Sequence, residues 1–558
     1  MKRNILIGIG LVVILAAAFF AYQALTPNEP IQVQVLALND FHGNLLPPSG
    51  SSGQVDGVDA GGVEYLATHI ETLRASNPNT IVVSAGDMVG ASPLLSALFH
   101  DEPTIEAFNL IGLDINAVGN HEFDEGWEEL KRLQEGGCHP VDGCLDGDDF
   151  AGAEFSFLAA NVVNKKTGET IFPSYEVREF EGVKVAFIGM TLKGTPNIVT
   201  PSGVTDLEFL DEAETVNALI PELQKQGIET IIVLIHEGGR QNGEANTINS
   251  CNDLSGPIVD IVEHFDEAVD VVISGHTHQA YNCTLNNKLL TSAFSFGRLI
   301  TQINLSIDPE TGDVITMEAN NHIVTRDVEK ASLLTALIER YNKVAEPLAN
   351  RQIGEITADM LREPNNAGEM ALGDVIADAQ LAATSQPDLG AAVIAFTNPG
   401  GIRADLVFAD SVGEGDGVTT YGEIFTVQPF SNNLVTLTLT GNQIDALLEQ
   451  QFVGCGQVEK DRVLQVSKGF SYTWKVSGAP CEKVDATTIL LNNEPIDPNG
   501  TYRVTVNSFL ASGGDNFSIF TEGTDLLIGV MDVDALEAYM RTSSPVEPGT
   551  QDRITVIP

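Results

Sequence analysis

Five apolar runs in the first half of the chain each end in a turn of small residues that carries Asp, Asn or His. These runs are residues 31–38, 80–84, 115–118, 229–235 and 269–273. Apolar runs of this length, with helical patterns between them, predict buried strands of a largely parallel sheet or a layered α/β sandwich. Because ligands bind such sheets at the carboxyl ends of the strands, we expect the five turns to meet along one rim.

The polar residues of these turns form a set with metal-binding chemistry: Asp40, His42, Asp87, Asn120, His121, His236, His276 and His278. Five of the ten histidines of the chain belong to this set. Each member alone has a structural alternative, such as a turn former, a helix cap or a buried histidine, but eight at five strand ends favour a metal centre. Imidazole, carboxylate and amide groups suit Zn²⁺, Mn²⁺ and related ions. With Asp87 as a bridging carboxylate, two such ions would activate a shared water for phosphoryl transfer.

The charge balance excludes one class of partner. The chain has 29 Lys and Arg against 77 Asp and Glu, a formal net charge of −48. Nucleic-acid binding needs a basic footprint, so we expect no nucleic acid polymer as partner. Because 43% of the residues are hydrophobic, the chain has ample core for a folded protein. An acidic surface of this size indicates a salty or extracytoplasmic medium.

The N-terminus has the pattern of an export signal. Lys2 and Arg3 precede an uncharged apolar run over residues 5–22, and a polar segment follows up to residue 30. We therefore assign residues 1–30 to a signal peptide, with an uncleaved membrane anchor as the alternative. In either case the rest of the chain is expected to be exported, to the periplasm or the cell surface, with a membrane tether only in the second.

The cysteines suggest disulfides rather than a metal cluster. An even number of cysteines in an exported chain favours disulfides, although six cysteines allow about 15 pairings. We expect sequential pairing, and the spacings lack the CxxC pair of a zinc cluster. The three expected pairs are Cys138–Cys144, Cys251–Cys283 and Cys455–Cys481.

The turn motifs, in this order, resemble the signature of calcineurin-like metallophosphoesterases, and more narrowly the exported 5′-nucleotidase family. The motifs are Asn39-Asp40-Phe41-His42-Gly43, Gly86-Asp87, Gly119-Asn120-His121-Glu122-Phe123-Asp124, His236 and Gly275-His276-x-His278. The resemblance covers about residues 31–545. It implies a four-layer α/β/β/α sandwich over residues 31–327, a linker helix over 328–350, and a second α/β domain over 351–558 that selects the substrate.

By this resemblance two divalent ions (Zn, Mn, Co or Mg) would share Asp87. One ion would be held by Asp40, His42, Asp87 and His278, and the other by Asp87, Asn120, His236 and His276. His121 would stabilise or protonate the phosphate, and Asp124 would orient His121. Some relatives have Gln at the position of His278, which keeps a ligand. Glu122 and Phe123 are expected to give structural support.

The second half carries further resemblances to the family: Gly400-Gly401-Ile402-Arg403, Pro429-Phe430-x-Asn432 and Gly513-Gly514-Asp515. By this resemblance Phe430 and Phe509 would sandwich a nucleobase, an arrangement that tolerates different bases. Arg403 and Arg362 would meet the phosphate or the rim of the site. Asn432 and Asp515 would bond the edges of the base or the ribose.

The resulting hypothesis is an exported, dinuclear-metal 5′-nucleotidase that acts on a small nucleotide. Two alternatives within the enzyme class are a 2′,3′-cyclic-nucleotide phosphodiesterase/3′-nucleotidase and a UDP-sugar hydrolase. A third alternative, from another class, is a metal-dependent surface binding protein without turnover. The motifs leave the base preference, the native metal and the choice between monomer and dimer open.

Overall fold

The computed structural model describes residues 29–48, 53–199, 201–242, 247–409, 413, 415–430, 432–458 and 460–558. The export segment expected over residues 1–30 therefore lies, apart from its last two residues, outside the described part. None of the helices in the described part is both long enough and apolar enough to cross a membrane.

The first half of the chain contains two six-stranded sheets. The first has the order Val314–Ile323, Leu299–Ile307, Ile31–Leu38, Thr80–Ser84, Ile115–Ala117 and Ser156–Leu158. Its last four strands are parallel, and the first two are antiparallel additions. The second has the order Ala280–Leu285, Lys288–Ala293, Val271–Ser274, Thr230–His236, Val183–Thr191 and Tyr175–Phe180. Its four central strands are parallel.

The two sheets pack face to face, which confirms the expected four-layer sandwich. Their inner faces share one apolar core, in which Val35 and Val83 of the first sheet meet Phe187 and Ile232 of the second. Helices cover the outer face of the first sheet: Val63–Arg74, Glu102–Ile111 and Trp127–Glu135. Glu212–Lys225 and Pro257–His264 cover the outer face of the second. The central strands are buried on both faces, so their sequences are continuously apolar.

The second half is also α/β. Its five-stranded sheet has the order Gln465–Val466, Ile394–Thr397, Thr501–Asn507, Asn433–Thr440 and Thr524–Met531. A four-stranded sheet has the order Glu494–Pro495, Leu490–Leu491, Phe470–Lys475 and Ile554–Ile557. The longer helices of this half are Ala371–Thr384, Tyr421–Val427, Gly441–Glu449 and Asp532–Ser543. We call residues 31–323 the first lobe and residues 352–558 the second lobe.

The two lobes are joined by a helix and by direct apolar packing. The helix over Ser332–Ala349 begins four residues after the predicted start at 328 and continues through Pro347. It buries Leu337 and Tyr341 against the first lobe. The short helix Leu94–Ala97 of the first lobe places Leu94 in an apolar core of the second lobe. The three expected disulfides are confirmed, as Cys138–Cys144, Cys251–Cys283 and Cys455–Cys481.

Candidate active site

The five strand-end turns converge on one rim of the first lobe, and their backbone is strained there. Five of the seven candidate metal ligands adopt positive φ: Asp40 (52°), His42 (49°), Asp87 (53°), His276 (67°) and His278 (52°). Positive φ is uncommon for residues with a Cβ atom and costs about 1–3 kcal/mol where the surroundings hold it. Cross-turn hydrogen bonds hold it here, because the amides of Asp40 and His42 donate to the carbonyls of Gly86 and Asp87 (both 2.9 Å).

The first group of donor atoms surrounds Asp40. Its Oδ1 lies 3.3 Å from Nε2 of His278 and 3.9 Å from Nε2 of His42. The two imidazole Nε2 atoms are 3.2 Å apart. Three donor atoms thus face a common point, at separations that suit ligands of one ion.

The second group surrounds Asp87 and adjoins the first. Oδ2 of Asp87 lies 2.9 Å from Nε2 of His236 and 3.7 Å from Nε2 of His42. Nδ1 of His276 lies 3.0 Å from Oδ1 of Asn120. Asp87 therefore stands between the two groups, which is the place of a bridging carboxylate.

The hydrogen bonds of the buried histidines fit metal coordination. Nδ1 of His42 donates to the carbonyl of Gly90 (2.9 Å), and Nδ1 of His236 donates to that of Ala85 (2.8 Å), which leaves Nε2 of both rings for a ligand role. Nε2 of His236 is buried, and its 2.9 Å approach to Oδ2 of Asp87 lacks hydrogen-bond geometry, so this nitrogen makes no hydrogen bond within the described part of the chain. A buried orphan nitrogen beside a carboxylate, in a set of imidazole, carboxylate and amide donors, is the chemistry that a divalent ion satisfies.

The histidines of the cluster differ in the direction of their pKa shifts. Burial lowers the pKa of His42 and His278, and it lowers the pKa of His276 to about 3. These three rings are therefore neutral, which is the form that binds metals. Burial also acts to lower the pKa of His236, but the carboxylate of Asp87 outweighs it and raises the pKa to about 10. The carboxylates thus favour positive charge at this point.

The expected dyad lies beside these donors. Nδ1 of His121 lies 2.9 Å from Oδ2 of Asp124, which also accepts from the amide of Ala91 (3.0 Å). The backbone amide of His121 donates to Oδ1 of Asp87 (2.8 Å), so the dyad is bonded directly to a candidate metal ligand. Burial acts to lower the pKa of His121, but the charges of Asp124 and Asp87 outweigh it and raise that pKa.

Glu122 supports the site structurally by joining two of the strand-end turns. Its Oε2 accepts from the amides of Asp87 (2.9 Å) and Gly119 (2.7 Å), and its Oε1 accepts from the amide of Met88 (2.9 Å). Burial and the charge of Asp87 raise the pKa of Glu122 to about 7. One buried carboxyl group thus ties the Asp87 turn to the turn that carries Asn120. The sequence shows that Glu122 lies in the motif, but not that it reaches the other turn.

We expect Glu122→Gln to weaken metal binding by about 10- to 100-fold, the range seen when a group that orients ligands is lost. The amide has one acceptor oxygen, and its NH₂ group would face backbone donors that now meet a carboxylate. Titration of metal into the stripped protein measures the effect. Glu128→Gln, at an exposed position on the next helix, is the matched control. Equal affinity in both variants would contradict the role of Glu122.

A cavity of about 400 Å³ opens between the rim of the first lobe and the second lobe. Asp87, Asn120, His121, His276 and His278 line one side of it. All six expected substrate residues line it as well: Arg362, Arg403, Phe430, Asn432, Phe509 and Asp515. The structure therefore brings together residues that are up to several hundred positions apart in sequence.

The aromatic residues take separate positions in the cavity. The ring of Phe430 stacks on His121, with centroids 5.7 Å apart and an interplanar angle of 17°. The guanidinium group of Arg403 lies 5.7 Å from the centre of the Phe430 ring. Phe509 packs over Gly514, where a Cβ atom would come within 2.5 Å of the phenyl ring. A larger residue at 514 would therefore displace this ring.

Some cavity residues were not expected from the sequence. Asp515 is bonded by the side chains of Arg462 and Asn398, the latter at 2.7 Å. Arg240 and Asn507 also line the cavity. Asn398 lies two residues before the glycine motif that ends at Arg403, and Asn507 lies two residues before Phe509, so both have a local signal. Arg462 lies in a stretch without a motif, and only the fold brings it to Asp515.

Two known families match the chain, one in each lobe. Residues 33–280 match the calcineurin-like phosphoesterase family, and residues 352–522 match the 5′-nucleotidase C-terminal domain.

Two curated relatives match nearly the whole chain. An endonuclease of Bacillus subtilis strain 168 is 33% identical over 538 residues, which cover 95% of this chain and 41% of the relative. A cell wall protein of Listeria monocytogenes serovar 1/2a is 32% identical over 558 residues, which cover 95% of this chain and 69% of the relative. The chain thus spans less than half the length of the first of these proteins.

Among solved structures, a 5′-nucleotidase precursor from Thermus thermophilus has the same arrangement of both lobes. The TM-score is 0.76 at 25% identity, over 94% of this chain and 99% of that chain. The similarity therefore extends over both lobes.

Proposed function

The chain belongs to the 5′-nucleotidase family of calcineurin-like phosphoesterases, and on this premise we propose that it is an exported, metal-dependent 5′-nucleotidase. It would hydrolyse a nucleotide to a nucleoside and phosphate. One observation carries the proposal: four of the seven metal-type donor groups, the His121–Asp124 dyad, two arginines and two aromatic rings line one cavity between the lobes. A phosphate, a ribose and a base each have chemically suitable neighbours there.

A calcineurin-like phosphoesterase fold implies divalent metal ions, and the donor groups described above fit them. We assign two ions, one to Asp40, His42, Asp87 and His278 and the other to Asp87, Asn120, His236 and His276. When bound, such ions polarise the phosphoryl oxygens and lower the pKa of a water at the site. Zn, Mn, Co and Mg all agree with this mixed donor set.

His121 is assigned to the reacting phosphate. Asp124 engages Nδ1, which leaves Nε2 as the nitrogen that can hold a proton towards the substrate. Hydrolysis forms a bond from a water oxygen to phosphorus and breaks the bond from phosphorus to the ribose oxygen. That oxygen must gain a proton, and a charged His121 can supply it or stabilise the phosphate.

The second lobe is assigned to substrate binding. Arg362 and Arg403 present forked donors that suit anionic phosphate oxygens. Phe430 and Phe509 provide apolar faces for the base, and Asn432 and Asp515 provide polar groups for the base or the ribose. Because Asp515 is already held by Arg462 and Asn398, its orientation is fixed before a ligand binds.

We expect the double variant Phe430→Ala, Phe509→Ala to lose far more activity on a nucleotide than on p-nitrophenyl phosphate. Stacking of a base on an aromatic ring is worth about 1–3 kcal/mol, so each ring contributes roughly 10- to 100-fold in kcat/KM. The small substrate carries no base and keeps its metal and arginine contacts. Phe408→Ala, in the same lobe but outside the cavity, is the control. Equal losses on both substrates would show that the two rings serve only packing.

The function is tested by phosphate release after metal removal and add-back. We expect release from AMP to be abolished by EDTA and restored by one or more of Zn²⁺, Mn²⁺, Co²⁺ and Mg²⁺. ATP, UDP-glucose and 2′,3′-cyclic AMP in the same assay distinguish a 5′-nucleotidase from the UDP-sugar hydrolase and cyclic phosphodiesterase alternatives. Metal-dependent binding of nucleotide without release of phosphate would instead indicate a binding protein.

Nucleic acid polymers are disfavoured as substrates, although one relative is named an endonuclease. A net charge of −48 repels a polyanion, and the candidate site lies in a cavity between the lobes. Single-stranded and duplex DNA belong in the same assay as substrates. Export to the periplasm or cell surface is part of the proposal and rests on the N-terminal pattern and the three disulfides.

A further inference from the structure

His100 lies outside the candidate site but is bonded to the loop that carries the dyad. Its Nδ1 lies 2.7 Å from Oε2 of Glu125, the residue that follows Asp124. Its Nε2 lies 3.1 Å from Oδ2 of Asp142. Burial acts to lower the pKa of His100, but the bond to Glu125 and the surrounding carboxylates raise it to about 9. The ring is therefore charged at neutral pH, and both nitrogens donate.

The other side of His100 is fixed by the loop that the first disulfide closes. His139 and Asp142 lie between Cys138 and Cys144. The rings of His100 and His139 stack with centroids 3.7 Å apart, and Nδ1 of His139 lies 3.4 Å from Oδ2 of Asp142. The loop thus holds the charged ring from a face and from an edge. This set of contacts has no part in the function proposed above.

The turn at His100 also reaches the metal ligands through its next residue. His100 and Asp101 have φ of 52° and 61°, so two adjacent residues with Cβ atoms adopt the left-handed conformation. Such strain persists only where other contacts fix it. Oδ2 of the buried Asp101 accepts from the amide of Gly90 (2.9 Å), whose carbonyl accepts from His42. The amide of Ala91, the residue after Gly90, donates to Oδ2 of Asp124.

From these contacts we infer that His100 is a positioning residue for the His121–Asp124 dyad and acts through Glu125. The ion pair sets the course of the backbone directly after Asp124, while Ala91 holds the carboxylate of Asp124 from the opposite side. The helix Leu94–Ala97, which packs into the second lobe, leads directly into this turn. The inference rests on the proposed hydrolase function.

A small displacement of Asp124 would have a measurable effect. Asp124 must hold Nδ1 of His121 so that Nε2 faces the phosphate, and a misplacement of about 1 Å in such a group costs on the order of 100-fold in rate. Glu125 is half-exposed, so the loss of its charge in Glu125→Gln is expected to change the free energy of unfolding little. A loss of rate with little loss of stability is therefore the signature of positioning.

The first test is His100→Ala, assayed with AMP in the metal-loaded protein. We expect kcat to fall by about 10- to 100-fold, with KM and metal content nearly unchanged. Glu125→Gln keeps the backbone and weakens the same ion pair, so it should lower kcat in the same direction if His100→Ala folds poorly. His264→Ala, which removes an exposed histidine from the helix Pro257–His264, is the control.

The second test asks whether His100 acts through the dyad. In a His121→Ala background the further change His100→Ala should have no effect on kcat, because the group that it positions is absent. The variant with both His100→Ala and Glu125→Ala should lose no more than His100→Ala alone. Each result would support the inference that His100 acts through Glu125 on the dyad.

Three outcomes would overturn the inference: an unchanged kcat in both His100→Ala and Glu125→Gln, additive losses in the double variants, or a fall in kcat that only follows a fall in metal content. Each requires an active wild-type protein. If the wild-type protein releases no phosphate from any substrate, the proposed function fails, and that failure is recognised before any variant is compared.

Discussion

Asp87→Asn is expected to give a protein that folds but holds fewer metal ions and hydrolyses AMP about a thousandfold more slowly, or worse. The substitution keeps the shape of the side chain and an oxygen for the amide of His121, which donates to Oδ1 at 2.8 Å. It removes the charge from Oδ2, which lies 2.9 Å from His236 and 3.7 Å from His42. A neutral amide cannot bridge two cations as a carboxylate does, so the substitution would weaken both of the proposed ion positions.

Metal analysis after dialysis and AMP hydrolysis in the same sample test this expectation. We expect metal content to fall from about two ions per chain to one or fewer, since the bridging ligand serves both. Asp260→Asn, on the surface helix Pro257–His264, is the matched control. A variant that keeps its full metal content and its activity would remove Asp87 from the centre of the proposed mechanism.

The rim of the first lobe was predictable because each ligand turn is encoded locally. An apolar run that ends in small residues and a polar side chain places that side chain at the end of a buried strand, wherever the strand lies in the sheet. The positions of His42, Asp87 and His276 could therefore each be predicted from the local sequence alone. Strand ends were less certain: the run over 269–273 becomes the strand Val271–Ser274, because residues 266–269 form a turn instead.

The supports of the site were not predictable, because they connect distant turns. The bonds from Glu122 to the amides of Asp87 and Met88, and from Asp101 to Gly90, depend on how the turns pack. Left-handed backbone at Asp40, Asp87 and His276 has only a weak signal in the residue types, since glycine is absent and Asp and His adopt this conformation more often than other such residues but still uncommonly. The fold imposes this conformation, and the supports maintain it.

The contacts of the expected substrate-binding residues were also not predictable from local sequence. Phe430 and Phe509 can be assigned to a base only by resemblance, because an aromatic residue in a glycine-rich loop is usually part of a core. In the structure Phe430 stacks on His121, so a residue of the second lobe covers the dyad of the first. Contacts between lobes depend on their relative orientation, which no motif specifies. The contact of Arg462 with Asp515 is likewise not specified by any motif.

His121→Ala is expected to lower kcat on AMP by about 100- to 10,000-fold, the contribution of a positioned acid–base group, while metal content stays near that of the wild type. His121 itself is not among the seven donors, and the backbone amide that binds Asp87 remains in the variant. Loss of rate without loss of metal would thus separate the dyad from the metal centre. Unchanged hydrolysis would refute its catalytic role.

The leaving group distinguishes the two roles that the geometry allows for His121. If His121 protonates the ribose oxygen, His121→Ala should cost much less on p-nitrophenyl phosphate, because p-nitrophenolate leaves readily without a proton. If His121 stabilises charge on the phosphate, the losses on AMP and p-nitrophenyl phosphate should be equal. Asp124→Asn should follow the pattern of His121→Ala on both substrates, since Asp124 accepts from the amide of Ala91 and lies 2.9 Å from Nδ1 of His121. An Asp124→Asn variant with full activity on AMP would show that the imidazole needs no orienting carboxylate.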